Sequence, residues 1–176
     1  MSRRSLAAAL VASAALLGAC SPMPGTAAVV DGERITERHV TDASATFAEL
    51  LGSAPNNAAV LDALIKEQVV TPVAEEFGIT ASDAQVVDYF AEYSASTGAE
   101  PLEESAFTPA GLRVGRYLYL MGEAQMSEDV QEISTGMLEA FQSAEIEVSA
   151  RYGAYNENGE LLPTVHPWLE TFNATR

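Results

Sequence analysis

The segment "VVDGERIT", Val29 to Thr36, constrains this chain more than any other. Asp31-Gly32 lies between two short apolar-flanked runs, and such a pair predicts a type I′ hairpin because both central residues of that turn need positive φ. A two-stranded ribbon is marginal in water by itself. The chain must therefore supply a third strand or a packing face. One other segment has the period of two that a half-buried strand requires, namely "EIEVSARYGAY", where Ile146, Val148, Ala150 and Tyr152 alternate with Glu147, Ser149 and Arg151.

Between these segments the period is helical. Thr36 is placed to cap a helix through Leu51, with Val40, Phe47, Leu50 and Leu51 among its apolar positions. "GSAPNN" breaks it, and Asn56 or Asn57 starts the next, whose stripe is Leu61, Leu64, Ile65, Val69, Val73 and Phe77. Pro72 inside that stripe predicts a kink or a break. Gly78 is the expected C-cap, and Thr80 the N-cap of a third helix with Val86, Val87, Phe90 and Tyr93 on its apolar face. A polar break runs from Ser94 to Ser105. Thr108 and Pro109 then open a fourth helix with Val114, Tyr117, Leu118 and Met121 on one face. A fifth begins near Ser127 with Val130, Ile133, Met137 and Phe141 as its stripe. "NENG" offers a turn, and the prolines of "LLPTVHPWLE" argue against regular structure beyond it. The reading is mainly α with a small β-sheet, a helical bundle closed by an N-terminal hairpin paired with a C-terminal strand.

Ahead of the hairpin, Arg3 and Arg4 precede an apolar run from Leu6 to Leu17 that is too short to span a bilayer. The ending "LLGAC" resembles a bacterial lipobox, which implies cleavage before Cys20 and acylation of its thiol. The competing reading is an ordinary export signal with an incidental cysteine. Two acyl chains on Cys20 anchor durably where one is marginal. The expected organisation is a signal peptide over 1–19, the lipidated Cys20 and a Pro/Gly spacer over 20–28, a helical domain over 29–155, and a Pro-containing tail over 156–176. The protein is expected at the outer face of the cytoplasmic membrane or elsewhere in the cell envelope, palmitate-type acyl chains holding it there. Cys20 is the chain's one cysteine, so no disulfide is expected. Formal net charge is −16, and a surface of that sign repels nucleic acid and anionic head groups.

With these elements in order, "VVDGERITERHV", "LIKEQVVTPVAEEFGITASDAQV" and "VSARYGAY" together resemble the N-terminal chaperone domain of SurA/PrsA-type foldases, over Val29 to about Tyr155. The resemblance implies holding of unfolded exported polypeptides without ATP. Many relatives also carry a parvulin prolyl isomerase domain, for which the span between the helical passage and the returning strand leaves no room.

No Gly-rich phosphate loop, HExxH, EF-hand loop or CxxC pair is present. His39 falls in the first helix and His166 in the tail, far apart for a nucleophilic triad. "EPLEE" reads as a solvated acidic loop before it reads as a weak cation site. "NAT" at Asn173 fits a glycosylation triplet of a kind common by chance. No cofactor and no metal are expected. The candidate client-binding residues are Tyr117, Tyr119, Leu120, Met121, Met126 and Met137, since methionine and tyrosine adapt to varied apolar partners. The plainer reading is that they fill the core. The expected function is therefore a membrane-anchored, non-catalytic chaperone whose partners are unfolded secreted polypeptides. Two alternatives are an adaptor lipoprotein holding one folded envelope partner and a subunit related to prolyl isomerase foldases.

Overall fold

The computed structural model describes residues 24–156 and 158–162. The expected export signal, Cys20, His166, Trp168 and the Asn173 triplet lie outside the described residues.

The hairpin forms as β1 (Thr26–Val30) and β2 (Glu33–Thr36). Asp31 and Gly32 both have positive φ, 49° and 81°, which is the backbone that the Asp-Gly pair is suited to. β1 begins three residues earlier than the sequence suggests. Thr26, Ala27 and Ala28 are buried strand residues and not spacer, and a bulge between Thr26 and Ala28 adjusts their register against β2.

The third strand is β3 (Ile146–Val148), antiparallel to β1 with Val29 opposite Glu147, so the sheet order is β2-β1-β3. Asp31 also ties the turn to this strand. Its N–H donates to the Glu145 carbonyl at 2.9 Å, and its carboxylate accepts the Glu145 N–H at 2.8 Å. β3 is shorter than the alternation suggests. The chain turns after Val148, and the buried Tyr152 donates to Glu37 Oε2 at 2.7 Å instead of extending the strand. Asn156 to Gly159 make the expected turn, yet it closes a second ribbon, β4 (Ala154–Tyr155) with β5 (Leu161–Leu162). Tyr155 stacks on Phe141 and donates to Asp62, so the folded region continues through Leu162 rather than ending at 155.

Five helices lie between β2 and β3: α1 (Glu37–Leu51), α2 (Asn57–Glu76), α3 (Asp83–Thr97), α4 (Pro109–Met126) and α5 (Val130–Ser143). Thr36, Asn56 and Thr108 cap α1, α2 and α4 through their side chains, as their chemistry predicts. α3 is capped by Ser82 and not Thr80. Ser82 and Gln85 three residues on exchange hydrogen bonds in a reciprocal box, satisfying two backbone donors at once. α3 also continues into the expected polar break as far as Thr97, where Gly98 at φ 72° ends it. α5 starts at Val130, a little later than Ser127.

α2 runs unbroken through Pro72. Proline inside a helix costs about 3 kcal/mol, but Pro72 is exposed while Val69, Val70, Val73 and Ala74 on either side are buried. Packing on both sides of the proline holds the helix together. Phe77, expected on the buried stripe, instead sits at the C-cap and is 36% exposed.

The main core joins the sheet to α1, α2, α3 and the first half of α4. A second cluster, Val70, Val73, Ala124, Ile133 and Met137, packs α5 across α2 and the end of α4. α4 meets its neighbours through glycine. Its buried face is Ala110, Gly111, Val114, Gly115, Leu120 and Ala124, whereas Leu118 is exposed. A methyl group at Gly111 would fall 2.5 Å from Thr46 Oγ1, and one at Gly115 2.5 Å from Val86 Cγ1. Gly115→Ala gains about 1 kcal/mol of helix propensity but overpacks the α3–α4 contact at a cost of about 1–3 kcal/mol. A lower denaturant midpoint for Gly115→Ala, with no such loss for Gly122→Ala, where a Cβ meets open space, is the expected outcome.

Candidate functional site

The strongest polar constellation is a buried carboxylate that the sequence reading does not single out. Glu67 on α2 is buried and accepts from two arginines of α4. Arg113 Nε and Nη2 approach Oε2 at 2.9 and 2.8 Å, and Arg116 Nη1 approaches Oε1 at 2.8 Å. Arg116 also donates to the Ala81 carbonyl at 3.2 Å and to Asp83 Oδ1 at 2.7 Å. The start of α3 is thereby tied to α2 and α4. Arg113 and Arg116 are three residues apart, so both guanidinium groups leave α4 on one face. That spacing, with a glutamate set between Leu64 and Val70 on an apolar helix, is the signal in the sequence that marks this network.

Two shallow clefts flank it. One of about 390 Å³ lies between α2, α4 and the start of α3, lined by Thr71, Ile79, Ser82, Gln85, Arg116 and Leu120. The other, about 320 Å³, is bounded by Glu33, Glu67, Gln68, Thr71, Pro72 and Arg113. Both are at the small end of ligand-sized cavities; Glu67, Arg113 and Arg116 on their walls face one another, and the exposed Glu33 and Glu75 add an acidic rim. Glu67 accepts from both arginines, so the network is a structural clamp.

His39 takes the third helical position of α1. Thr36 Oγ1 accepts the His39 N–H at 3.1 Å, and His39 Nδ1 accepts the Thr36 N–H at 3.4 Å, which requires the neutral ring. Partial burial, then the nearby Arg113, hold its pKa below the usual value. With Nδ1 so used, the ring closes a helix end. Tyr155 and Tyr152 are likewise structural. Burial, with Asp62 beside it, pushes the Tyr155 phenol far up, and burial together with the hydrogen bond to Glu37 raises Tyr152 to about 12. Burial also raises Tyr117. Among the described residues no group of three or more His, Cys, Asp or Glu side chains is arranged to hold a metal ion, and no helix is long and apolar enough to cross a membrane.

The six candidate client-binding residues do not form a groove. Leu120 is fully buried and Met137 nearly so, both as core. Tyr117 and Met121 are half-buried against the α5 cluster. Tyr119 packs edge-on against Tyr89 of α3 and accepts from Gln85 at 3.3 Å. Met126 alone is widely open, 77% exposed at the end of α4. Apolar residues mark more than one side of α4, and on α5 only Ile133 and Met137 are buried, so Leu120 and Met137 go to the core while Leu118 and Met126 stay exposed. The exposed apolar side chains are Leu51, Phe77, Tyr93, Leu118, Met126, Leu138 and Leu162, most of them outside the sequence-based set. Phe77 and Met126 end α2 and α4, two helices that run in the same direction, since Glu67 meets Arg113 and Arg116 while Val73 and Ala124 further along both share the second core cluster. Both side chains therefore stand toward one end of the bundle.

Comparison with protein families, with curated proteins and with solved structures finds no match to the chain.

Glu67→Gln removes the charge that both arginines share, leaving Arg113 without this carboxylate and Arg116 with Asp83 alone. Breaking such a pair costs about 3–5 kcal/mol when fully buried. Arg113 and Arg116 keep some solvent contact, so the lower end of that range is expected in urea unfolding.

Proposed function

We propose that this protein is a lipid-anchored, extracytoplasmic binder of unfolded exported polypeptides, an ATP-independent and non-catalytic chaperone of the SurA/PrsA type. The observation that carries the reading is the sheet order β2-β1-β3. An N-terminal hairpin, a run of helices and a returning strand that pairs with β1 is the arrangement the sequence resemblance calls for. Anchoring is assigned to acyl chains on Cys20.

Client contacts are assigned to the exposed apolar side chains and not to the buried part of the Tyr117–Met137 set. Met126 at the end of α4 is the foremost, followed by Phe77, Leu118 and Leu138. Methionine suits the role because its unbranched thioether adapts to different partners. The acidic surface around these residues limits association between copies and favours cationic stretches of client.

A second reading is favoured by the burial of Leu120 and Met137 and by clefts in which Glu67, Arg113 and Arg116 are taken up with one another. A surface with dispersed apolar side chains also suits an adaptor that holds one folded envelope protein. The two readings separate in one experiment on a chain that begins at Ser21 and so lacks both the apolar leader segment and the acyl site. The chaperone reading predicts suppression of light scattering from an aggregating unfolded secretory protein, beyond that of an equally acidic unrelated domain. It further predicts that Met126→Ser weakens suppression without lowering the melting temperature. Absence of suppression by the folded chain contradicts it, and copurification with a single envelope protein then selects the adaptor.

A further inference from the structure

The chain enters the fold at one corner of the sheet. The Gly25 carbonyl accepts the Glu37 N–H at 2.9 Å, and Thr26 then opens β1 opposite Thr36, the last residue of β2. Ser149, just past β3, donates to the Ala27 carbonyl at 2.9 Å, so the end of that strand lies at the same corner. Gly25 is five residues from Cys20, a reach of at most about 18 Å. A folded body of this length is roughly 35 to 40 Å across. With acyl chains on Cys20, this corner is held near the bilayer, and the tether is too short to lay the far side of the body against it.

The charges are not spread evenly about this corner. Among the described residues three cations are exposed, Arg34, Arg38 and Arg151, and all three belong to the segments that meet here. Arg38 follows Glu37 in the first turn of α1, and its side chain is 86% exposed, touching Asp42 through Nε at 3.4 Å. Arg151, 64% exposed, lies in the turn after β3, 3.2 Å from Glu37 and over the ring of Tyr152. Arg34 is two residues back from Thr36 on β2. Lys66, Arg113 and Arg116, by contrast, are at most 23% exposed and engage carboxylates within the bundle. The other end of the sheet lies about 13 Å along β1. It is acidic, with Asp31, Glu33 and Glu145 exposed there and Glu147 exposed between the two ends.

We propose that this corner is the membrane-facing surface of the anchored protein, with the Arg38 and Arg151 guanidinium groups set against the phosphates of anionic phospholipid head groups. The proposal rests on the reading of Cys20 as the acyl site and adds an orientation to it. The body as a whole, at a formal net charge of −16, is repelled by an anionic bilayer. Salt screens charges farther than about 8 Å from the head groups, so the groups nearest the tether decide which way the body turns. Glu37 and Asp42 bring the corner close to neutral, which suits orientation and leaves attachment to the acyl chains. A guanidinium meets phosphate through two parallel N–H bonds, and an exposed ion pair such as Arg38 with Asp42 holds it only weakly.

The test couples a single chain of myristoyl length, through a maleimide, to Cys20 of a protein that begins at that residue; the one thiol makes the attachment unique. One such chain binds membranes marginally and reversibly, so a contribution from the protein surface becomes visible. Partition is measured by sedimentation with vesicles of phosphatidylcholine alone and of a two-to-one mixture with phosphatidylglycerol, at physiological salt. Arg38→Glu, at a helix start that favours a carboxylate, should weaken partition onto the mixed vesicles at least about fivefold. Partition onto phosphatidylcholine and the melting temperature should not change. Arg151→Gln should act in the same direction. Glu145→Lys, an equal and opposite change of charge at the far end of the sheet, should change partition less than about twofold. Equal and opposite effects of Arg38→Glu and Glu145→Lys mean that net charge alone acts, and overturn the proposal. Indifference to Arg38→Glu also overturns it, in favour of an acidic protein partner for these arginines. Chemical coupling fixes the anchor, so these outcomes bear on the surface and not on the natural acyl group. A mature chain whose Cys20 carries no lipid by mass spectrometry overturns the anchor and the orientation with it, and leaves the binding of unfolded polypeptides standing.

Discussion

Everything else in this fold depends on the pairing of β1 with β3. The long connection between Val30 and Ile146 must be closed before that ladder forms, at a cost of roughly 4 kcal/mol in chain entropy plus a constant term. A three-residue strand does not offset that by itself. The contacts made possible by closure do. Ala27, Ala28, Val30 and Ile35 are buried in the same core as Leu61, Leu64 and Ile65 of α2. Asp31 grips the Glu145 backbone from both sides, and Tyr152 reaches Glu37 at the start of α1. The sheet is thus a clasp that makes the helices between its strands one cooperative body.

Within the clasp, the helices are fixed by two different devices. Gly111 and Gly115 let α4 lie close against Thr46, Val86 and Phe90, and close approach leaves little freedom to slide. On another side of the same helix, Glu67 and the two arginines set register by charge. A buried ion pair adds little net stability, but a wrong register would strand a charge, so the pair acts mainly as a selector among packings. These devices leave Glu67, Arg113 and Arg116 in the clefts between α2 and α4 engaged with one another. The proposed client contacts lie instead at exposed apolar side chains such as Met126 at the end of α4. In the proposed chaperone, a rigid interior and an adaptable rim are consistent with binding many partners without a chemical step.

What the sequence made legible was local. The Asp31-Gly32 turn needs only its own backbone preferences, and Thr36, Asn56 and Thr108 cap helices with side chains a few residues from the donors they serve. The return strand was legible because its period changes from helical to alternating, although Tyr152 fits that alternation without belonging to the strand. The misread elements were those decided by distant partners. Pro72 disrupts a helix unless packing on both sides overrides it. Ser82 and Thr80 are both plausible caps until Gln85 completes the box with Ser82. The inward face of α4 was invisible because its closest contacts are made by glycines, which carry no hydrophobic signal. Leu120 and Met137 were open to two readings, client-binding or core, since apolar periodicity marks what is greasy and not which greasy side is covered.

The most direct test of the clasp is native-state hydrogen exchange at the Val29 and Glu147 amides, followed together with the amides of Leu64 and Ile65 in α2. If closure of the sheet holds the helices as one body, the strand amides exchange only by the global opening that exposes the α2 core, with the same free energy and the same denaturant dependence. If Val29 and Glu147 exchange by a low-energy local opening while Leu64 and Ile65 stay protected, β3 is a frayed appendage. The fold would then rest on its helices alone, and the pairing of β1 with β3 would not be what holds it together.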